Sequence, residues 1–399
     1  MRFRASLLVT SLALLALLPS SALAQVELDG TFIDYLGIGA DGTMLNARDH
    51  SMRYSESGAE PFTCDAWYPD DQVSTFSIEG FGVGLGGFFS GTNGARRFFD
   101  VNTVQATEAS GRHVTWAGFI DAGILGGGGL RVAHDWTYEP DDRVVVQTIT
   151  LRNPTSVTVR DIYYLTHGDP DIGDCSIGSS NDTLNDVVRQ ASADGSSLAI
   201  AGTIAAASHR VFLGMGTFSA FSRARFSPGI EDTDAQNAFD DPLDPNGARG
   251  DRGMSLAFHP ADLAPGASVA FQVYYVWGTS VDEVTTRFDA APCLAATADG
   301  TACRVAGVAG TCRARGCCTG CFDGTACRAG GTVAACGTAG GTCVSCADTN
   351  VCTDDACTAG TCARTNNTAS CDDGSFCTSG DTCAAGSCGA GARATCDDG

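Results

Sequence analysis

The sequence predicts an all-β protein: a large antiparallel β-sandwich followed by a disulfide-rich region that has almost no apolar core of its own. Three observations carry this. Short runs of β-branched and aromatic residues, bounded by Gly, Pro, Asn and Asp, recur from residue 25 to about residue 290. Helical periodicity is weak and suggests only a turn or two from Val281 to Phe288. Of the 20 cysteines, 18 fall in the last 107 residues.

Among the strands, Arg143 to Arg152 is the clearest. Val144, Val146, Thr148 and Thr150 alternate there with Val145, Gln147, Ile149 and Leu151, a period of two. Asn153-Pro154-Thr155-Ser156 supplies a turn and Val157 to Thr166 returns as a strand, so the pair predicts a hairpin. Further strands are expected at Thr31–Ile38, Ser74–Leu85, Arg112–Ile120, Gly129–Tyr138, Leu198–Ile204, His209–Met215, Met254–His259 and Ser268–Trp277. Many short strands with turn signals between them favour an antiparallel sandwich. A region of about 265 residues is large for one simple sandwich of ~100 residues, so a supersandwich and two packed sandwiches both fit.

Residues 1–24 carry the marks of a secretory signal peptide. Arg2 and Arg4 form a positive start, Ala5 to Leu18 an uncharged apolar stretch, and Ala22-Leu23-Ala24 a small-x-small cleavage pattern. The apolar stretch is shorter than the roughly 20 residues a spanning helix needs, and no later segment reaches that length. The expected mature protein is therefore exported, with no transmembrane segment, and secreted or held at the cell surface.

The charge balance excludes other roles. There are 46 Asp and Glu against 24 cations, every one of them Arg, for a net charge of −22. Such a chain cannot neutralise a phosphate backbone or sit on an anionic bilayer, so nucleic acid is excluded as a partner.

The step in cysteine content sets the expected domains: 25–290 as sandwich, 291–345 and 346–399 as two kinds of cysteine-rich repeat. Beyond residue 290 there is one Leu, two Phe and no Ile, Met, Trp or Tyr, too little apolar area to offset the entropy of ordering the chain. Disulfides are expected to replace the core, at about 2–4 kcal/mol each. Asp299-Gly300-Thr301-Ala302-Cys303 recurs as Asp323-Gly324-Thr325-Ala326-Cys327, 24 residues on. Cys346, Cys371 and Cys396 then lie 25 residues apart, as do Cys352 and Cys377. Fixed periods of this kind belong to arrays of small modules. The closing Cys396-Asp397-Asp398-Gly399 repeats the opening of the unit at Cys371, which suggests that the natural array continues. Cys318-Thr319-Gly320-Cys321 and Cys343-Val344-Ser345-Cys346 have zinc-ligand spacing, but in an oxidising compartment pairing is favoured. Cys64 and Cys175, alone in the sandwich region, are expected to bond to each other; closing so long a loop contributes about 4–5 kcal/mol before strain.

The run Asn350-Val351-Cys352-Thr353-Asp354-Asp355-Ala356-Cys357-Thr358-Ala359-Gly360-Thr361-Cys362, followed by Asn366 to Gly374, resembles the slime-mould-type cysteine-rich repeat. The resemblance covers about 100 residues and implies a secreted or surface-exposed bacterial setting, not an activity. Leu151-Arg152-Asn153-Pro154-Thr155 and Leu263-Ala264-Pro265-Gly266-Ala267-Ser268-Val269 resemble pieces of extracellular bacterial β-sandwiches, and that likeness bears on fold class alone.

Candidate chemistry is sparse. Asp169, Asp171 and Asp174 lie on a Gly/Pro loop after a strand, with Asn181 and Asp182 placed to close a shell. Alternating carboxylates of this kind suit Ca²⁺, which takes six to eight oxygens, so calcium is the one cofactor expected, against the alternative of an ordinary acidic turn. Asp240 to Gly247 is a second, weaker candidate. Gly82-x-Gly84-x-x-Gly87 matches a dinucleotide fingerprint without the helix that must follow it. Gly80, Gly82, Gly84 and Gly86 alternate with Phe81, Val83 and Leu85, leaving one strand face bare for close packing. Arg249-Gly250-Asp251 has no evident receptor, and His134-Asp135-Trp136 reads either as a sugar-site corner or as a Trp capping the core. No nucleophile elbow and no His-Glu-x-x-His motif is present, and no catalytic residue is assigned. The expected function is a non-enzymatic exported protein, a sandwich head that binds a protein or glycan partner on a disulfide-stapled stalk. The alternative is a secreted hydrolase of polysaccharide or protein with accessory repeats.

Overall fold

The computed structural model describes residues 26–28, 30–38, 52–56, 73–77, 103–108, 112–119, 130–139, 141–168, 170, 172, 183–191, 195–203, 210–227, 235–241, 243–294, 299–305 and 308–395. The chain is almost all antiparallel sheet, followed by a disulfide-rich C-terminal region. The first strands are β1 (Val26–Leu28), β2 (Ile33–Ile38), β3 (Met52–Tyr54), β4 (Val73–Ser77), β5 (Thr103–Glu108), β6 (Arg112–Phe119), β7 (Arg131–Tyr138) and β8 (Val144–Arg152). There follow β9 (Tyr163–Gly168), β10 (Thr183–Arg189), β11 (Ser197–Gly202), β12 (Phe212–Thr217), β13 (Ser222–Phe226) and helix α1 (Ala235–Asp240). Next come β14 (Ala248–Gly250), β15 (Met254–Phe258), β16 (Ser268–Gly278) and helix α2 (Val281–Ala290).

Two sheets face each other. The larger has nine strands in the order β14-β10-β11-β12-β16-β8-β7-β6-β5, the smaller four in the order β13-β15-β9-β4. A three-stranded sheet, β1-β2-β3, joins them from the N-terminus. β8 and β16 share the longest ladder, from Arg152↔Ser268 to Val144↔Val276. Where both faces are covered, at Val144–Val146 and Val273–Trp277, the two strands are continuous apolar runs. Val145, Ile149, Leu151, Val273, Tyr275 and Trp277 point inward against Tyr164, Leu256, Phe258 and Phe226 of the smaller sheet. Val144, Val146, Tyr274 and Val276 point outward under Val284 and Phe288 of α2. α1 plays the same part outside the smaller sheet, where Ala235 and Ala238 cover Tyr163, Leu165 and Ala257.

α2 approaches the sheet closely because β12 is bare beneath it. A Cβ at Gly214 would lie 2.5 Å from Val284, and one at Gly216 would lie 2.5 Å from Phe288. The alternating-glycine face expected at Gly80 to Gly86 lies outside the described residues; β12 carries its own pair of alternate glycines, Gly214 and Gly216. α2 runs to ten residues, longer than its weak periodicity suggests, with Ser280 as N-cap and the Asp289 carboxylate bonded twice to Arg189 of β10, at 2.5 and 2.9 Å.

The predicted hairpin of Arg143–Arg152 with Val157–Thr166 does not form. β8 pairs with β7 and β16, whereas β9 belongs to the other sheet, between β15 and β4. The turn between them is a crossing point locked by Asn153, which is fully buried. Its amide donates to the Val157 and Leu263 carbonyls at 2.7 and 2.8 Å, and its Oδ1 accepts from the Thr155 amide and hydroxyl. Its backbone N–H bonds Ala267 O and its carbonyl accepts from Gly266 N. The two sandwich-like sequence pieces, around Asn153 and around Gly266, thus meet in one knot.

β3 is tied in at the far end. Tyr54 stacks on Trp277 with ring centroids 5.0 Å apart, and Glu56 accepts from Tyr54, from Arg287 at 3.1 Å and from Arg143 at 3.0 Å. Burial alone would push the Glu56 carboxyl up, but the bonds from Arg287 and Tyr54 outweigh it and hold the group below its usual range.

The tail keeps its shape by bridges. Eight join described cysteines: 293–312, 303–317, 318–327, 321–343, 336–357, 346–362, 352–383 and 371–388. No described cysteine is free. From Cys318 to Cys388 each bridge overlaps the next, so every peptide bond in that stretch is spanned by at least one. The 25-residue period extends back to Cys321, and Cys321–Cys343, Cys346–Cys362 and Cys371–Cys388 are equivalent pairs. The tail begins directly after α2 and touches the head through Arg315, which bonds Glu139 at 3.2 Å and Asp142 at 2.8 Å. The expected Cys64–Cys175 bridge lies outside the described residues.

Two outcomes are expected. Asn153→Ala strands several buried backbone groups and should lower stability by roughly 2–4 kcal/mol, read from denaturant unfolding; a loss within experimental error would show that the knot is not a structural lock. A single proteolytic cut between Cys318 and Cys388 should release no fragment on a non-reducing gel and two pieces after reduction. Release without reduction would mean that the bridges do not overlap as described.

Candidate functional site

On the outer face of the nine-stranded sheet, beside α2, the apolar alternation gives way to polar side chains. The ladder sets Asp135 of β7, Thr148 of β8 and Gln272 of β16 side by side in one row across the strands. Thr115 of β6 continues the row at the register position opposite Asp135. Where the row meets the end of α2 there is a hollow of about 380 Å³, lined by Thr148, Thr217, Phe218, Ser219, Ala270, Phe271, Gln272 and Tyr274.

Hydrogen bonds fix the floor. Tyr274 donates to Gln272 Oε1 at 2.6 Å, and Gln272 Nε2 donates to Thr148 Oγ1 at 3.3 Å. Burial pushes the Tyr274 hydroxyl above its usual range, so it stays protonated and donating. The rim is Phe218, half-buried, stacked flat on Phe288 at 4.5 Å and met edge-on by Tyr274 at 5.7 Å. Ser219 follows it, its backbone N–H held by Thr217 Oγ1 at 3.2 Å. The hollow can offer hydroxyl and amide hydrogen bonds and aromatic surface; no charged side chain lines it.

The sequence could not place this hollow, because its residues come together only through the register of β8 with β16 and the turn after β12. The one signal was the interruption of the outward apolar series by Thr148, Thr150 and Gln272.

The residues singled out in the sequence go elsewhere. Asp169, Asp171, Asp174, Asn181 and Asp182, the calcium candidates, lie outside the described residues, as do Cys64 and Cys175. In the second acidic loop, Asp244 Oδ1 accepts from the backbone N–H of Asn246 at 2.8 Å and of Val187 at 3.2 Å, a turn cap. Arg249 and Gly250 of the integrin-like tripeptide sit in edge strand β14. His134-Asp135-Trp136 is divided by the strand's alternation. His134 and Trp136 enter the core, His134 Nε2 lying 3.1 Å from the Tyr164 hydroxyl, while Asp135 faces outward and meets His113 Nε2 at 2.6 Å. The Trp caps the core, and no sugar-site corner forms there. His167 is fully buried, its Nδ1 2.7 Å from Ser255 Oγ.

In the tail the zinc-spaced cysteines are all bonded elsewhere, Cys318 to Cys327, Cys321 to Cys343 and Cys346 to Cys362, and hold no thiolate for a metal. Among the described residues of the tail, Asp372, Asp373 and Asp381 could hold a cation, with carboxylate oxygens within 4.8 Å of one another. The equivalent carboxylates of the preceding units face arginine: Arg328 Nε lies 2.5 Å from Asp323, and Arg364 Nε 2.9 Å from Asp348.

No protein-family model and no curated protein matches the chain. Among solved structures it is similar to a GH36 α-galactosidase of Geobacillus stearothermophilus, at 9% identity and TM-score 0.32, over 70% of this chain and 44% of that one. It is also similar to a TPR-domain containing protein of Parabacteroides distasonis, at 11% identity and TM-score 0.35, over 65% and 47%. A galactose mutarotase related enzyme of Lactobacillus acidophilus matches at 8% identity and TM-score 0.30, over 65% and 99%. The chain spans less than half the length of the first two, and likenesses at this level assign no chemistry.

The turns of the tail carry a pH dependence. Asp323 accepts from the Ala326 and Thr325 amides, the Thr325 hydroxyl and Arg328, and these bonds hold its carboxyl far below the usual range. A carboxyl lowered by folding contributes stability above its unfolded value of 3.8, and loses that contribution as the pH falls below it. The Thr325 and Ala326 amides should therefore keep their hydrogen-exchange protection from neutral pH down to the ordinary carboxylate range and lose it only in stronger acid, with Asp323→Asn losing it at neutral pH. Equal protection in the variant at neutral pH would count against the cap.

Proposed function

We propose that the chain is an exported binding or structural protein without enzymatic activity, a β-sandwich head carried on a disulfide-stapled stalk of slime-mould-type repeats. The observation that carries this reading is the unbroken overlap of bridges from Cys318 to Cys388. A segment so poor in apolar side chains and so dense in disulfides is stable only where thiols stay oxidised, and its shape is set by covalent bonds rather than by a core. Export follows from the apolar leader of residues 1–24, and the location is the cell surface or the surrounding medium. No helix among the described residues is long and apolar enough to cross a membrane.

The head supports a binding role by what it leaves open. Its two outer faces are partly covered by α1 and α2, and the uncovered part of the larger sheet offers a firm polar surface on the best-paired strands. Binding surfaces on such scaffolds need little reorganisation when a partner arrives.

The test incubates the oxidised full chain with insoluble cell-wall and matrix fractions. Retained protein is measured in the pellet, and new reducing ends or new amino termini in the supernatant. Retention without release is the expected result. Steady release of sugar or peptide ends in proportion to protein would overturn the reading in favour of a hydrolase.

A further inference from the structure

We infer that the hollow beside α2 is a binding site for a neutral saccharide; this rests on the binding role proposed above and names the ligand class. The argument begins with charge. The chain has 46 Asp and Glu among 399 residues, yet none of the hollow's eight lining side chains is charged. A site for phosphate, sulfate or a uronic acid would need a cation in its wall, and in a protein of net charge −22 the surrounding field repels anions further. A site for an amine would need a carboxylate in the wall, and it has none.

The polar groups present are those that read hydroxyls. Gln272 spends one lone pair on Tyr274 and one N–H on Thr148, which leaves it a second N–H and a second lone pair. Thr148 and Ser219 add hydroxyls, each able to donate and to accept. A saccharide ring presents the same mixture of donors and acceptors along its edge. Its C–H face is apolar and suits an aromatic wall, which half-buried Phe218 supplies, held in place by Phe288 at 4.5 Å and by Tyr274 at 5.7 Å.

Size and rigidity agree. About 380 Å³ lies at the small end of ligand pockets, roughly 300–1,000 Å³, and suits one or two sugar rings. Thr148 and Gln272 are register partners in the longest ladder of the sheet, so their spacing is fixed before any ligand binds. An apolar ligand would leave the second Gln272 N–H and the Thr148 and Ser219 hydroxyl protons without partners, at a cost that disfavours it.

The experiment is calorimetric titration of the oxidised full chain with a panel of short neutral oligosaccharides, alongside uronate and sulfated counterparts. The variants are Gln272→Ala, Phe218→Ala and Tyr274→Phe, each checked for an unchanged melting curve. At least one neutral series should bind, with Gln272→Ala and Phe218→Ala each weakening it about tenfold or more, Tyr274→Phe less, and the anionic counterparts binding more weakly than the neutral ones. Because Phe218 braces α2, Gln272→Ala decides the matter should Phe218→Ala unfold. The inference falls if no neutral saccharide binds, if anionic ones bind better, or if Gln272→Ala leaves affinity unchanged. The two readings separate cleanly: retention on matrix fractions that survives Gln272→Ala keeps the binding role and removes this site, whereas release of sugar ends removes the non-enzymatic role.

Discussion

The ladder between β8 and β16 is the contact on which the rest of the head depends. It lies in the middle of the nine-stranded sheet and is packed on both sides. Inward it meets the smaller sheet through Tyr275 and Trp277, and outward it meets α2 through Tyr274 and Val276. At its open end sits the Asn153 knot, which turns the chain from one sheet to the other and pins the segment leading into β16. At its other end Tyr54 and Glu56 attach the N-terminal sheet through Trp277 and Arg287. A buried hydrogen-bonded side chain such as Asn153 is costly to replace, because every group it satisfies would be left dry and unpaired.

The tail follows a different constraint. With few large side chains it has little apolar area to remove from water: of its two Phe, Phe322 is half-buried and Phe376 is fully exposed. Order comes instead from sulfur bridges and from carboxylates folded back onto their own turns. Asp323, Asp348 and Asp373 occupy the same place in three successive units and each accepts from the amide two residues on. Only the charge opposite them changes, guanidinium in two units and further carboxylates in the third.

Much of this was legible in the sequence, and the failures have physical causes. The fold class and the strands β7, β8, β15 and β16 follow from alternation and turn residues, since those segments lie where the burial pattern is regular. β10 and β13 escaped because Asn185, Asp186, Arg223 and Arg225 break the apolar pattern; the Asn185 amide, for one, is satisfied by the Ala248 and Gly250 carbonyls of the distant strand β14. The hairpin was misread because Asn153-Pro154 is a turn signal whichever sheet the chain enters next; only the Leu263 and Ala267 carbonyls, more than a hundred residues away, decide it. The hollow was out of reach for a related reason: Thr148 and Gln272 are neighbours by register, and register is not written in either strand alone. In the tail, the resemblance of Asp299–Cys303 to Asp323–Cys327 at 24 residues masked the 25-residue period that joins Cys321 to Cys346 and Cys371.

The overlapping bridges also bear on how the tail would respond to a pull. In an ordinary chain, tension unravels structure and pays out slack, several ångströms for each residue freed. Between Cys318 and Cys388 every loop is short-circuited by a sulfur–sulfur bond, and each short circuit begins before the last one ends. Load therefore passes from bridge to bridge and most of the contour length stays locked away. Such a segment acts as a tether of nearly fixed reach, and its extensibility becomes a function of the thiol–disulfide balance around it rather than of folding stability.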